Sequence, residues 1–167
     1  MSTIVREMHC APETVFRVLR DGWLFPVWVV GASRMRDVDA AWPEPGTELR
    51  HSVGVWPLLL NDSTTSIEWH EPRRMVLNAR AWPVGIATVT IEAKASKKGC
   101  LVRIVEDVVS GPAKFIPRPL MTLALGWRNT ETLRRLAFIA EGIAAGAEDS
   151  IAEDLGRGKH VRRFDHA

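Results

Sequence analysis

Two ionisable side chains interrupt the apolar faces of alternating segments. His51 lies among apolar residues in segment 47–56, and Glu106 does so in segment 101–109. Because successive side chains of a strand point to opposite faces, both are expected to point inward with their apolar neighbours. An imidazole and a desolvated carboxylic acid can act as general base and general acid, so we predict a proton-transfer pair. The alternative is that both residues only form hydrogen bonds, with each other, with a water molecule or with Arg134.

Other catalytic arrangements are not indicated. Glu68 and His70 share a strand face at a spacing that suits two metal ligands, but the sequence offers no third ligand nearby. Cys10 and Cys100 stand singly, without His or Cys at metal-ligand spacing. The hydroxyl run 63–66 has no His or Asp at a spacing typical of an activated nucleophile. We therefore expect a site that needs neither a metal nor a cofactor.

The aromatic composition is unusual, with seven Trp and no Tyr. Trp28, Trp69 and Trp127 come from three separate segments and are expected to meet around a cavity that favours a planar or aromatic ligand. The alternative is that each packs in the core. Thr130, one helical turn after Trp127, either offers a hydroxyl to the ligand or bonds a carbonyl of its own helix.

The elements that position these residues are many short strands followed by one long helix. Seven segments read as strands, namely 3–10, 33–38, 47–56, 63–70, 74–81, 87–94 and 101–109. Two short helices are expected after the first strand, one opening at Pro12 and one over 23–29. A stripe at three- to four-residue spacing predicts a helix over 119–147, formed by Leu120, Leu123, Trp127, Thr130, Arg134, Ala137, Ala140, Ala144 and Ala147. This order predicts an α+β fold in which a curved antiparallel sheet of about seven strands closes on the long helix and leaves a cavity.

Composition limits the classes of function. The chain has 167 residues, 46% of them hydrophobic, which predicts one domain over 1–150 followed by a flexible basic tail over 151–167. The 22 Lys and Arg nearly balance the 20 Asp and Glu, so nucleic acid is not an expected partner. The sequence contains neither a signal peptide nor an apolar run of membrane-spanning length. We expect a cytoplasmic monomer or homodimer without stable membrane insertion.

Several segments resemble the START-like (SRPBCC) superfamily, of the polyketide cyclase/dehydrase and lipid-transport type. The resemblance covers about residues 3–145 and rests on Ala11-Pro12-Glu13-Thr14-Val15-Phe16, Pro45-Gly46, Gly111-Pro112, Arg128-Asn129 and Leu133-Arg134-Arg135-Leu136. It implies the fold called helix-grip, in which the sheet grips the terminal helix around a hydrophobic tunnel. It also implies a lipid-like, polyketide-like, sterol-like or other aromatic ligand. Carriers and enzymes share this fold, so the resemblance does not choose between them.

Three functions follow as alternatives. The first is binding of a small hydrophobic or aromatic molecule, for which the expected ligand-binding residues are Trp28, Val53, Ile67, Trp69, Leu77, Ile104, Leu123, Trp127, Thr130 and Arg134. The second is a polyketide cyclase or dehydratase that uses His51 and Glu106. The third is a protein-binding module without a ligand, which would use the apolar loops 56–60 and 115–117. These loops are expected either to rim the tunnel mouth or to fold onto the core or a dimer partner.

Overall fold

Seven strands and three helices make up the described part of the chain, which is residues 1–55, 58–81, 85–111 and 117–161 of a computed structural model. The strands are β1 (Ser2–Met8), β2 (Ala32–Val38), β3 (Glu48–Val55), β4 (Leu58–His70), β5 (Arg74–Ala81), β6 (Gly85–Ser96) and β7 (Gly99–Ser110). The helices are α1 (Pro12–Arg20), α2 (Phe25–Trp28) and α3 (Arg118–Val161), and a 3-10 turn at Gly22–Leu24 precedes α2.

The strands form one sheet in the order β1-β7-β6-β5-β4-β3-β2, and each neighbouring pair is antiparallel. Strands β2 to β7 therefore lie in chain order, whereas β1 lies beside β7. The sheet is curved, and α3 packs across it. The predicted α+β helix-grip architecture is confirmed.

Local sequence explains the two short helices. Pro12 lies in the first turn of α1, where its missing N–H costs no hydrogen bond, and Val15 and Phe16 lie on the buried face. The second helix was expected over 23–29 with Pro26 in its middle. The structure instead has a 3-10 turn and then α2, which places Pro26 in a first turn where proline is tolerated.

The β6–β7 hairpin depends on one glycine. Gly99 has a φ of 139°, and a Cβ built on it would lie 2.2 Å from the main-chain oxygen of Met8. A side chain at this position would therefore be strained by φ and would also clash with β1.

A β-bulge changes which side chains of β4 face the core. The register with β5 shifts between Ser66 and Glu68, which makes Ile67 the extra residue. Ile67 is 42% exposed, so the prediction that it points inward is wrong. Because the bulge shifts the alternation by one residue, Ser66 is buried before it and Trp69 packs on the core after it. Strand β4 also begins at Leu58, within a segment predicted to be a connection.

The buried face of α3 differs from the predicted stripe in the first turns of the helix. Leu133 and Leu136 are fully buried, whereas Leu123 and Trp127 are 72% and 71% exposed. The nine stripe positions span 27 residues in eight steps, a mean spacing of about 3.4 residues, so on a helix that turns about 100° per residue Trp127 lies about 140° around the axis from Ala140. The predicted stripe therefore coincides with the buried face near Ala140 and lies away from the sheet in the earlier turns.

Helix α3 reaches Val161, beyond the end predicted near residue 147. No helix within the described ranges is long and apolar enough to cross a membrane.

Candidate functional site

A cavity of about 300 Å³ lies between the sheet and the first part of α3, beside α2. Side chains of α2 and of five successive strands, β3 to β7, form most of its wall. Its apolar lining includes Trp28, Val53, Leu77, Val89 and Ile104. Its volume lies at the lower end of the range of about 300–1,000 Å³ typical of small-molecule sites.

Polar groups enter the cavity wall from two sides. Strands β3 and β4 contribute His51 and Thr64, and α3 contributes Arg128, Asn129 and Thr132. The Thr132 hydroxyl accepts a hydrogen bond of 3.3 Å from the main-chain N–H of Val30, which ties the segment after α2 to α3. The site therefore combines apolar walls with a few fixed polar groups.

His51 is held by its neighbours on the sheet and on α2. Its side chain is 4% exposed, and its Nε2 lies 3.0 Å from the Oγ1 of Thr64. The Phe25 ring packs against the imidazole with centroids 5.1 Å apart. The inward orientation expected for His51 is confirmed.

Burial lowers the pKa of the His51 imidazole, because desolvation penalises its charged form. The Asp62 carboxylate and the main chain of Ser52 raise the pKa, and the positive charge of Arg36 lowers it further. The net direction favours a neutral ring near pH 7, which can donate a hydrogen bond through one nitrogen and accept one through the other.

Glu106 is also buried, at 2% exposure, and one of its carboxylate oxygens is bonded to α3. Its Oε2 accepts a hydrogen bond of 2.6 Å from the Nη2 of Arg128 and one of 2.8 Å from the Nδ2 of Asn129. Arg128 and Asn129 line the cavity, whereas Glu106 does not. The carboxylate therefore fixes two cavity residues from the sheet side.

His51 and Glu106 are not brought together as a pair. Four strand steps separate β3 from β7, which is roughly 19 Å along the sheet at about 4.8 Å per strand. Each has its own partners, Thr64 for His51 and the α3 residues for Glu106. Their joint role in proton transfer remains a prediction. The alternative contact with Arg134 is wrong for both residues, since that guanidinium is 72% exposed and pairs with Glu131.

Three buried polar atoms of cavity-lining residues have no hydrogen-bond partner within the described ranges. They are Nε1 of Trp28, Nδ1 of His51 and Nε of Arg128. Buried polar atoms in native proteins are nearly always satisfied, so these three are exceptions among the residues that the structure describes.

Five of the residues predicted for the site line the cavity. Trp28, His51, Val53, Leu77 and Ile104 come from α2, β3, β5 and β7. Strand alternation predicted the inward orientation of the four strand residues correctly, because the register of β3, β5 and β7 is regular at these positions. Trp28 lies on α2, where alternation does not apply. Their roles in ligand binding remain predictions.

The other predicted residues lie elsewhere. Trp69 packs against Phe16 with ring centroids 5.1 Å apart, as its core alternative proposed. Ile67 is turned outward by the bulge. Four predicted ligand-binding residues of α3 lie on the exposed side of the helix, because the stripe to which they belong drifts away from the buried face. They are Leu123, Trp127, Thr130 and Arg134. The Thr130 hydroxyl donates to the main-chain oxygen of Gly126, which was its alternative within the helix.

Sequence reasoning missed the polar residues that α3 contributes. Asn129 and Thr132 are buried at a three-residue spacing from each other, and Leu133 and Leu136 continue the same face. A polar residue on the buried face of a helix is the sequence signal for such a site. Asn129 and Thr132 did not give this signal, because the predicted stripe assigned the buried face to the other side of the helix. Arg128 was noted only as part of the family resemblance.

The remaining predictions concern surface features. Glu68 pairs with Arg74 at 2.9 Å, and no group of three potential metal ligands occurs among the described residues. Leu59 and Leu60 belong to β4 and are 37% and 41% exposed. Trp56, Pro57 and residues 115–116 lie outside the described residues.

Known structures share this architecture at low sequence identity. Protein NE0264 from Nitrosomonas europaea aligns with a TM-score of 0.65 at 20% identity, over 86% of this chain and 95% of its own. Protein CV1439 from Chromobacterium violaceum aligns with a TM-score of 0.60 at 18% identity, over 83% and 96% of the two chains. The fold is the helix-grip fold.

A third similar structure carries a functional description. The di-domain ARO/CYC StfQ, from the steffimycin biosynthetic pathway, aligns with a TM-score of 0.67 at 10% identity. The alignment covers 86% of this chain and 51% of StfQ, so this helix-grip chain spans about half of that protein. No family profile and no curated protein sequence matches the chain. Identities this low establish the fold alone.

Proposed function

We propose that this helix-grip protein binds a small, compact hydrophobic or aromatic molecule in the cavity between its sheet and α3. The observation that carries the proposal is the cavity of about 300 Å³ with a mainly apolar lining. Binding there removes apolar ligand surface from water, which is the main favourable term for such sites.

The volume supports a compact ligand. A cavity of about 150 Å³ in another protein holds one benzene molecule, so twice that volume suits about two rings. Within the lipid-like and polyketide-like classes, this favours a polycyclic or short-chain molecule over a lipid with two long acyl chains.

The proposal is tested by native mass spectrometry of the purified protein, followed by calorimetric titration with two-ring aromatic compounds. An Ala79→Phe variant serves as the blocked protein, because Ala79 lines the cavity and a phenyl ring there occupies part of it. Ala95→Phe is the matched control, since Ala95 is exposed on β6 and does not line the cavity. Binding that is lost in Ala79→Phe and retained in Ala95→Phe is expected. Equal binding by both variants contradicts the proposal.

The second candidate function is cyclisation with loss of water, on a polyketide-like substrate. It is favoured by the placement of His51 in the cavity wall, where burial lowers its pKa and leaves a neutral imidazole near pH 7. The fold similarity to an ARO/CYC is consistent with this chemistry. In this version His51 transfers the proton, and Glu106 holds Arg128 and Asn129.

A simple diketone tests the second candidate. Cyclisation of 2,6-heptanedione forms one carbon–carbon bond and releases one water molecule to give 3-methylcyclohex-2-enone, which ultraviolet absorbance detects. An enzyme accelerates this reaction and loses the acceleration in His51→Gln. A protein that binds the two-ring compounds without accelerating the reaction is a carrier.

A further inference from the structure

We propose that the outer face of α3, formed by Leu120, Trp127, Phe138 and Ala145, is the interface of a homodimer. The α3 helices of the two copies pack antiparallel about a two-fold axis. This face lies on the side of α3 that points away from the sheet and the cavity. The inference therefore goes beyond the proposed binding function and is independent of it.

Large apolar side chains form a line along the outer face. Leu120, Trp127 and Phe138 are 60%, 71% and 81% exposed. At about 100° per residue, Trp127 lies within about 20° of Leu120, Phe138 and Ala145 around the helix axis, whereas the buried Leu136 lies about 180° away. Contiguous apolar side chains that are exposed to this extent mark interaction sites of soluble proteins.

The outer face is complementary to a reversed copy of itself. A two-fold axis beside the midpoint of Thr132–Leu133 places positions at equal distances before and after that point opposite each other. Trp127 of one copy then meets Phe138 of the other, and the axis repeats this aromatic contact. Leu120 meets the small Ala145 of the other copy. Each large side chain therefore faces either an aromatic ring or a gap, as close packing of two helices requires.

The charges at the centre of the outer face favour the antiparallel arrangement. Glu131 and Arg134 lie equally far from the same axis, so each carboxylate lies beside a guanidinium of the other copy. A parallel pair would instead place identical residues, and therefore like charges, beside each other. Within one chain Glu131 and Arg134 are 3.4 Å apart, and the Arg134 side chain is 72% exposed. The guanidinium has five N–H donors, which is enough for a second carboxylate.

A groove beside Phe138 provides space for the Trp127 ring of the second copy. Its volume is about 360 Å³, and its apolar lining includes Val27, Ala137 and Ile139. A cavity of about 150 Å³ holds one benzene molecule, so the groove is large enough for the two rings of an indole. Val27 belongs to α2 and is 52% exposed, so the proposed contact extends beyond α3.

The exposed area is consistent with a stable dimer. Burial of a large aromatic side chain removes about 150–250 Å² from water, so Trp127 and Phe138 of both copies would bury roughly 450–750 Å² together. Stable interfaces bury about 1,200–2,000 Å², of which the four rings supply about a third. Leu120 and Val27 add to this area. Leu123 lies about 50° to one side of the line, at the rim, where truncation usually costs little.

Sedimentation equilibrium of the purified protein, from micromolar to hundred-micromolar concentrations, tests the proposal. The wild type is expected to approach a mass of about 37 kDa, twice the 18.6 kDa of one chain. Phe138→Glu is expected to raise the dimer Kd about a hundredfold or more, because the two-fold axis places the substitution twice in the interface. Circular dichroism should show that this variant folds, since Phe138 is exposed.

Leu101→Glu is the matched control and should keep the wild-type Kd. Leu101 is 42% exposed on β7, and its neighbour Val102 is fully buried. Because strand side chains alternate, Leu101 points away from the face of the sheet on which α3 packs.

A charge exchange tests the antiparallel pairing. Arg134→Glu brings like charges together across the interface and is expected to weaken the dimer by about tenfold. Adding Glu131→Arg to the same chain restores opposite charges, so the double variant is expected to recover most of the loss. General damage to the helix would not be reversed by a second substitution. An unaffected Arg134→Glu dimer, or a double variant without recovery, contradicts the antiparallel pairing.

Two results would overturn the dimer as a whole. One is a wild-type protein that stays monomeric over this range, and if Phe138 is then required for binding to vesicles of anionic lipid, the outer face docks on a membrane instead. The other is a dimer with an unchanged Kd in Phe138→Glu, because the contact then lies elsewhere. Neither result bears on the cavity, and the ligand titration tests the proposed function separately.

Discussion

The buried imidazole of His51 makes the stability of the protein depend on pH. Its folded-state pKa lies below the ordinary value of 6.5, because burial penalises the charged ring. Between these two values the unfolded chain binds more protons than the folded one, so the free energy of unfolding rises with pH. The contribution of this group is complete above pH 6.5 and declines as the pH falls below that value.

We therefore expect urea denaturation to give a lower free energy of unfolding at pH 5.5 than at pH 7.5, with a smaller difference in His51→Gln. The exposed His70→Gln variant is the control and should keep the wild-type difference. If the pH dependence of the free energy of unfolding is unchanged in His51→Gln, it arises from other titratable groups.

The carboxylate of Glu106 makes a second prediction at the scale of single residues. Glu106→Gln leaves Arg128 without its ion-pair partner, and the protein is expected to lose about 2 kcal/mol of stability. This is less than the loss of about 3–5 kcal/mol for a fully buried pair, because the Arg128 side chain is 35% exposed. Chemical denaturation measures the change.

Glu131→Gln is the matched variant for this measurement, since Glu131 pairs with Arg134 and Arg135 on the outer side of the same helix. Its effect should be small, as is usual for exposed ion pairs. Equal effects of the two variants would contradict the structural role of Glu106.

At the scale of elements, denaturation of point variants can measure which face of α3 is buried. Leu136 is fully buried, so Leu136→Ala is expected to lower the free energy of unfolding by about 2–5 kcal/mol. Leu123 is 72% exposed, and Leu123→Ala should change it by less than about 0.5 kcal/mol. The stripe read from the sequence predicts the reverse ranking, so denaturant midpoints of the two variants distinguish the two faces.

The strands were largely predictable from the sequence, and the exceptions have physical causes. Alternation identified the inward faces around His51, Leu77 and Ile104, because each side chain of a regular strand fixes the orientation of the next. It failed at Ile67, since a bulge inserts one residue without interrupting the pattern of residue types. On α3 the stripe at three- to four-residue spacing identified the wrong face in the first turns, because apolar residues such as Leu123 and Trp127 also occur on the exposed side.

The cavity itself required the three-dimensional structure. The sequence predicted one between sheet and helix, but the unpaired donors of Trp28 and Arg128 arise from how α2 and α3 meet the sheet. Hydrogen bonds between elements leave no periodic signal in a sequence. Only the polar Asn129 on a buried helix face offered a local clue.

At the scale of the whole molecule, a bound ligand should stabilise the fold. A ligand that binds only the folded state raises the free energy of unfolding by about 2.7 kcal/mol at a hundred times its Kd. For a chain of this length, that is a rise in Tm of about 5–10 °C. Differential scanning fluorimetry with saturating 1-tetralone is expected to detect this rise in the wild type but not in Ala79→Phe. A rise in both proteins would place the binding site outside the cavity.

The position of β1 affects how the chain folds during synthesis. Its described strand partner is β7, and Ser2 lies opposite Glu106, so β1 is synthesised before the other six strands of the sheet and pairs with the last of them. Until then β1 has an open edge, while the β2–β6 meander can already form from neighbours in sequence. Closing so long a loop is a slow step of folding, because its entropic cost precedes the contacts that repay it. The nascent chain is therefore most exposed to aggregation, and in greatest need of a chaperone, in the interval before β7 emerges.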